Sequence, residues 1–138
     1  MIQIKFKNDD KRTVMQKYLQ LLNVAQPNPE NIMTEKELQL LAEFLLLDPE
    51  KFHYQRFGRL AKKKVAEAAL KNLNWELSTV NINNKLYALL AKGYLRRDTD
   101  SVIYAKQFLL DAAYKIHDTK DNLEITFSFD YTENRQAD

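Results

Sequence analysis

The stretch that decides the fold runs from Leu77 to Tyr104 and reads LSTVNINNKLYALLAKGYLRRDTDSVIY. Ser78 is a typical N-cap residue, because its hydroxyl can accept a hydrogen bond from an open amide of the first helical turn. Gly93 suits the residue just past the helix end, where a left-handed backbone is easiest without a Cβ. Between them, helical spacing places three apolar residues on one inward face, namely Ile82, Leu86 and Leu89.

A short hairpin is predicted directly after this helix. Residues 94–97 are extended and end in the pair Arg96 and Arg97, and 98–101 form a cluster of turn residues. Residues 102–104 are β-branched and aromatic, which is typical of a returning strand. The stretch therefore predicts a capped amphipathic helix followed by a basic hairpin.

This combination resembles the end of a winged helix-turn-helix domain. The polar cap, the three inward positions, the Lys92–Gly93 helix end and the basic hairpin all match that family's pattern. Two preceding helices extend the resemblance to about 34–104. The first, 34–47, opens with the capping box Thr34–Glu37, and the second, 58–73, is strongly basic.

The resemblance implies a role for each polar group of this region. The outer face of the helix after Ser78 would read bases, because asparagine amides can pair with adenine N6 and N7. The hairpin would form the wing, and the basic helix would contact phosphates without sequence preference. The expected base contacts are Thr79, Asn81, Asn83, Asn84 and Lys85, the wing contacts are Arg96 and Arg97, and the phosphate contacts are Arg59, Lys62, Lys63 and Lys64. Lys85 is the one cation of that outer face, which has no arginine, so guanine readout is weakened.

Outside this region, the two ends of the chain alternate apolar and polar residues with period two. Residues 2–7 and 123–131 are therefore predicted strands, expected to share one small sheet that packs on a helix. Further helices are predicted over about 13–22 and 106–116. Inward candidates in the basic helix and the last helix are Leu60, Val65, Ala69, Leu73, Phe108, Leu109, Ala112 and Ile116. We therefore expect one α+β domain over 1–138, mainly helical, with a small antiparallel sheet from the terminal strands.

Composition excludes several classes of function. The 138 residues include no cysteine and only two glycines, which removes disulfide scaffolds, thiolate metal sites and glycine-rich phosphate loops. No apolar run is long enough for a membrane span, and no secretory signal is visible. His53 and His117 are far apart in sequence, and no nucleophile–base pair stands out, so neither a metal site, a cofactor nor catalysis is expected. The aromatic residues around 52–57, with Trp75, are interpreted as core rather than as a base-stacking surface.

The predicted function is sequence-dependent binding of double-stranded DNA by a transcriptional or replication regulator. The net charge is only +2, but the charges are unevenly distributed: residues 51–71 are basic and residues 117–138 are acidic. Such a distribution is typical of a polyanion-binding surface on part of a molecule. Size and composition resemble a small cytoplasmic protein of a bacterium or a bacteriophage. The alternative is an assembly or adaptor module, for instance a phage structural component, that uses the winged helix or the terminal strands for protein contacts or a homodimer.

Overall fold

The chain folds as a mainly helical α+β protein. The computed structural model describes residues 2–6, 10–48, 51–52, 56–99, 102–118 and 125–129. A short 3-10 turn at Pro29–Asn31 lies between the first two helices. The helices are α1 (Lys11–Ala25), α2 (Glu35–Leu45), α3 (Arg59–Leu73), α4 (Thr79–Ala91) and α5 (Gln107–Asp118), and the strands are β1 (Ile2–Phe6), β2 (Leu95–Arg97), β3 (Ile103–Ala105) and β4 (Ile125–Phe129).

Helix α2 is the centre of the core and contacts α1, α3, α4 and α5. The predicted capping box is present at its start, where the Thr34 hydroxyl accepts from the Glu37 amide and the Glu37 carboxylate accepts from the Thr34 amide. From Leu40 to Leu45 every residue is buried, including Glu43. A helix that is buried all round must be covered on all sides by its neighbours. The other helices are therefore arranged around α2.

Helix α1 is fixed to α2 by an ion pair that the sequence did not reveal. The guanidinium of Arg12 donates from Nε and Nη2 to the two carboxylate oxygens of Glu43, at 2.8 and 3.0 Å. The hydrogen bonds to Glu43 raise the pKa of Arg12, although burial acts in the opposite direction. The side chain of Glu43 is 1% exposed, so Arg12 supplies the charge that makes its burial tolerable.

The terminal strands pair with each other, as predicted. β1 and β4 are antiparallel, with Ile2 opposite Phe129, Ile4 opposite Phe127 and Phe6 opposite Ile125. They form a two-stranded sheet that is separate from the pair β2–β3. The expectation that this terminal sheet packs its apolar face on a helix concerns side chains outside the described part of the chain.

Two of the inward candidates are wrong. Leu60 is 58% exposed and Phe108 is 41% exposed. In each helix the residue that follows takes the inward position: Ala61 begins the buried series of α3, and Leu109 begins that of α5. Successive helical residues are about 100° apart, so a shift of one position turns a side chain from core to solvent.

Two aromatic residues before α3, Phe52 and Phe57, belong to the core, as interpreted, whereas Tyr54 lies outside the described residues. Trp75 is half-buried and packs against the core. Phe52 and Phe57 are buried, and the ring of Phe57 lies 4.9 Å from that of Phe44, between centroids. Arg56 is also buried and donates to the carbonyl oxygens of Phe44 and Leu47. Burial lowers the pKa of Arg56, which nevertheless stays charged. Arg56 and Phe57 therefore cover the C-terminal end of α2.

Candidate nucleic-acid interface

Local hydrogen bonds fix both ends of α4. The Ser78 hydroxyl accepts from the Asn81 amide at 3.1 Å, which confirms the predicted N-cap. At the other end Gly93 has φ +88°, and the amides of Gly93 and Tyr94 donate to the carbonyls of Leu90 and Leu89. These two bonds form a Schellman motif, in which the left-handed residue lets the chain turn sharply out of the helix. The hairpin strand β2 therefore begins directly beside the end of α4.

The inward face of α4 is the predicted one. Ile82, Leu86 and Leu89 are each at most 2% exposed and pack in the core against α2. With that face buried, the polar residues expected at the bases lie on the surface. Thr79, Asn81 and Asn84 are exposed, while Asn83 and Lys85 are half-buried at the margins.

The most solvent-exposed line of α4 includes residues that sequence reasoning passed over. Opposite the buried face, helical spacing aligns what we term the outer stripe: Val80, Asn84, Tyr87 and Ala91. Val80 is 67% exposed and Tyr87 is 53% exposed. The spacing i, i+4, i+7 from Val80 was readable in the sequence.

The β2–β3 hairpin presents two arginines beside this stripe. Leu95 and Ala105 are paired across the strands and buried, which anchors the base of the hairpin. Arg96 lies opposite Tyr104, and both Arg96 and Arg97 are exposed. The predicted turn is closed by Asp98, whose carboxylate accepts from the Val102 amide at 2.9 Å.

Each hairpin arginine lies over an aromatic ring. The guanidinium of Arg96 is 5.0 Å from the centroid of Tyr104, its cross-strand neighbour. Arg97 faces the other way, 5.4 Å from the ring of Tyr87 on α4. Among the described residues, no acidic side chain forms an ion pair with either arginine. The contact between Arg97 and Tyr87, here termed the hairpin flank, therefore joins a charged hairpin to the outer stripe of α4.

A second group of cations lies on the opposite side of α4. The ammonium of Lys36, on α2, is 4.5 Å from the centroid of Trp75, and that of Lys85, on α4, is 6.0 Å from it. We term these three residues the tryptophan flank. Lys85 and Tyr87 are two positions apart, so they project about 160° from each other around the helix axis. Lys36 was not predicted as a functional residue, because only the fold brings it to α4.

The end of α4 is held against the start of α2 by a second buried pair. The ammonium of Lys92 donates to the carboxylate of Glu37, a residue that also completes the capping box. Burial raises the pKa of Glu37, but the hydrogen bonds from Lys92 and Thr34 outweigh it and leave that pKa below its ordinary value. The carboxylate is therefore charged at neutral pH and holds the C-terminal end of α4 beside the start of α2.

The basic residues of α3 are concentrated in its N-terminal half. Arg59, Lys63 and Lys64 are exposed, Lys62 is half-buried, and the first turn has no acidic residue. Cations are unfavourable near a helix N-terminus, where the helix dipole is positive, so this cluster does not serve helix stability. The surface pair of Lys64 with Glu67 is 3.9 Å long and weak. That the cluster shares the side of the hairpin arginines stays a prediction.

Metal-ligating side chains are not clustered in the described part of the chain. They contain no group of three His, Cys, Asp or Glu side chains that could hold a metal ion. His117 is exposed next to Asp118, and His53 lies outside the described residues. A cleft of about 270 Å³ between α1 and α2 is lined by amides, one carboxylate and a leucine: Gln16, Gln20, Asn23, Glu35, Leu38 and Gln39.

The chain was also compared with known proteins. No family model, no curated protein and no solved structure matches it. Within the described ranges, none of the helices has the length and apolar character needed to cross a bilayer. Function is therefore inferred from the side chains that the fold brings together around α4.

Proposed function

We propose that the chain binds double-stranded DNA through a winged helix-turn-helix and acts as a transcriptional or replication regulator. In this proposal α2, α3 and α4 are the three helices, α4 enters the major groove, and the β2–β3 hairpin is the wing. The order of these elements along the chain, and the hairpin directly after α4, support it. Fold order alone does not determine function, so the proposal depends on the surface chemistry of α4.

The observation that carries the proposal is that cations lie on opposite sides of the outer stripe. Arg97 lies in the hairpin flank, and Lys36 and Lys85 lie in the tryptophan flank. The major groove is about 12 Å wide, so a helix inserted in it has a phosphate backbone on either side. A neutral stripe between two positive flanks complements that arrangement, with the stripe facing the bases and the flanks facing the phosphates.

Aromatic contacts suit these cations for phosphate binding. A guanidinium or ammonium over a ring is attracted by the ring's quadrupole and loses fewer conformations when it meets an anion. Arg97 can keep its contact with Tyr87 while its remaining donors bond to phosphate oxygens. In the proposal Lys85 therefore contacts backbone rather than a base, and the bases are left to Thr79, Asn81, Asn83 and Asn84.

Binding of a random duplex tests the proposal. A labelled 25-base-pair duplex is titrated with the protein at about 50 mM salt, where nonspecific phosphate contacts are strong. Replacing Arg96 and Arg97 together with alanine is expected to weaken binding roughly tenfold or more, since hydrogen bonds to charged groups are worth about 1.5–3 kcal/mol. Lys36→Ala is expected to weaken binding as well, because it removes the exposed cation of the tryptophan flank.

A charge-matched control separates these contacts from a general effect of charge. Lys17 on α1 and Lys115 on α5 are exposed, and they belong to two helices that pack against each other and contribute no residue to the proposed interface. Removing Lys17 and Lys115 changes the net charge as much as removing both hairpin arginines. If the two double variants weaken binding equally, the assignment of the site to α4 and the hairpin is wrong.

A second candidate function is an assembly or adaptor role through the terminal sheet. β1 and β4 form only two strands, so within the described residues each keeps an outer edge without a strand partner. Isolated two-stranded sheets are marginal, and an open edge can accept a strand from another chain. Light scattering of the purified protein tests this role: a monomer at all concentrations would remove the homodimer version of it.

A further inference from the structure

We infer that α4 reads A·T base pairs, with Asn84 bonded to adenine and Val80 packed on the thymine methyl group. This inference rests on the proposed DNA binding and adds to it the base pair and the groove feature that are recognised. It is carried by the outer stripe, whose two largest apolar members are exposed although nothing in the expected DNA contacts accounts for them.

The charge of the outer stripe disfavours guanine. Guanine is read most often by arginine or lysine, which donate to its O6 and N7 atoms. None of the four residues of the outer stripe is a cation, and the nearest cations already lie over aromatic rings. Arg97 covers Tyr87 at the hairpin side of the stripe, while Arg96 lies over Tyr104 and Lys85 over Trp75, both outside it. The surface that would meet the groove floor therefore lacks the groups that favour guanine.

The spacing of Val80 and Asn84 matches that of neighbouring base pairs. They are one helical turn apart, which is about 6 Å along the axis, close to two base-pair steps. An asparagine amide can bond to adenine N6 and N7 together, and an apolar side chain suits the thymine methyl. The N-terminal residues of a recognition helix are those that contact base edges, and Val80 is the second residue of α4.

Val80 differs in its surroundings from another exposed valine of the protein. Val24, near the end of α1, is 78% exposed, and single apolar residues on a surface need no special explanation. Val80 differs because an asparagine and a tyrosine share its stripe and cations lie on both sides of it. Val24 lies on α1, which contributes no residue to the proposed interface, and this makes it a matched control of the same residue type.

The experiment compares four duplexes of equal length by fluorescence anisotropy. One has an alternating A·T core, and in the second uracil replaces thymine, which deletes only the methyl group from the major groove. The third has a G·C core. The fourth has an inosine–cytosine core, which resembles A·T in the minor groove and G·C in the major groove. The wild-type protein is expected to prefer thymine over uracil by roughly fourfold for each methyl covered.

The variants assign this preference to residues. Val80→Ala is expected to bring the thymine-to-uracil ratio close to one and to leave the salt dependence of binding unchanged. Val24→Ala is expected to change neither the thymine-to-uracil ratio nor the salt dependence of binding. Asn84→Ala is expected to reduce the preference for A·T over G·C.

Failure of the inference and failure of the proposed function give different results. Equal affinity for the thymine and uracil duplexes would overturn the inference while DNA binding stands. The inference is also overturned if the inosine–cytosine duplex binds as well as A·T, since the preference then comes from the minor groove. If none of the four duplexes binds at low salt, the proposed function itself is wrong, and the outer stripe is left for a protein partner.

Discussion

Loss of Arg12 is expected to destabilise the whole domain, because its partner Glu43 cannot reach water. The Glu43 side chain is 1% exposed and both of its carboxylate oxygens are bonded to Arg12. Breaking a buried pair from one side costs about 3–5 kcal/mol, since the remaining charge stays buried without compensation. The Arg12 side chain is itself 33% exposed, so we expect the loss of stability in Arg12→Met to lie at the lower end of this range, at about 3 kcal/mol.

Thermal unfolding followed by circular dichroism measures this loss. An unfolding entropy of about 2.1 cal/mol/K per residue makes each kcal/mol worth about 3.5 °C for a chain of this length. Arg12→Met is therefore expected to lower Tm by about 10 °C. Lys63→Met, which removes an exposed cation from α3, is expected to change Tm by less than about 2 °C.

A double variant tests the reason for the loss. Replacing Arg12 with methionine and Glu43 with leucine removes both charges and is expected to recover most of the stability, because no isolated charge is then buried. If Arg12→Met unfolds within about 2 °C of the wild type, the pair contributes little and the reasoning from burial is wrong. If the double variant is as unstable as the single one, the loss comes from packing and not from charge.

Three further changes have defined outcomes. Glu37→Gln is expected to destabilise the protein more at pH 7 than at pH 3.5, because a carboxylate whose pKa is lowered by folding stabilises the fold fully above its ordinary pKa of 4.5 and progressively less as the pH falls toward the folded-state pKa. Urea unfolding at both pH values, with Lys92→Met in parallel, measures this difference, and an equal loss at the two pH values would contradict the pair. Gly93→Ala is expected to lower the free energy of unfolding by about 1–2 kcal/mol from its positive φ alone, since a Cβ there meets no atom within 4 Å. Gly58→Ala, at φ −79°, is expected to lower it by less, and equal losses in the two variants would refute the backbone argument. Deleting 123–138 removes β4 and leaves β1 without its partner, so the truncated chain is expected to have a lower urea midpoint, and an unchanged midpoint would show that the terminal sheet adds no stability.

Local signals predicted the elements of the site well. Ser78 and Gly93 each determine a backbone conformation within one turn of chain, so the bounds of α4 could be placed almost to the residue. The terminal strands were found from their alternation, and even their pairing could be expected, because two apolar ribbons of the same period need a common partner.

What the sequence could not provide are contacts between distant positions. Arg12 and Glu43 are 31 residues apart, and Lys36 and Trp75 meet only because α2 lies beside α4. The errors at Leu60 and Phe108 have a related cause, since periodicity defines a stripe but not which of two adjacent positions faces the centre of the core. The cations on either side of α4 therefore became visible only in the fold.

The salt dependence of duplex binding tests the central claim most directly. Dissociation constants for a 25-base-pair random duplex, measured from 50 to 200 mM salt, are expected to give a log–log slope of about −5, from five to six phosphate contacts at roughly −0.9 each. Replacing Arg96 and Arg97 with alanine is expected to reduce the slope to about −3, while replacing Lys17 and Lys115 leaves it near −5. A flat response of the wild type, or a slope that the arginine variant does not change, would contradict DNA binding through α4 and its hairpin.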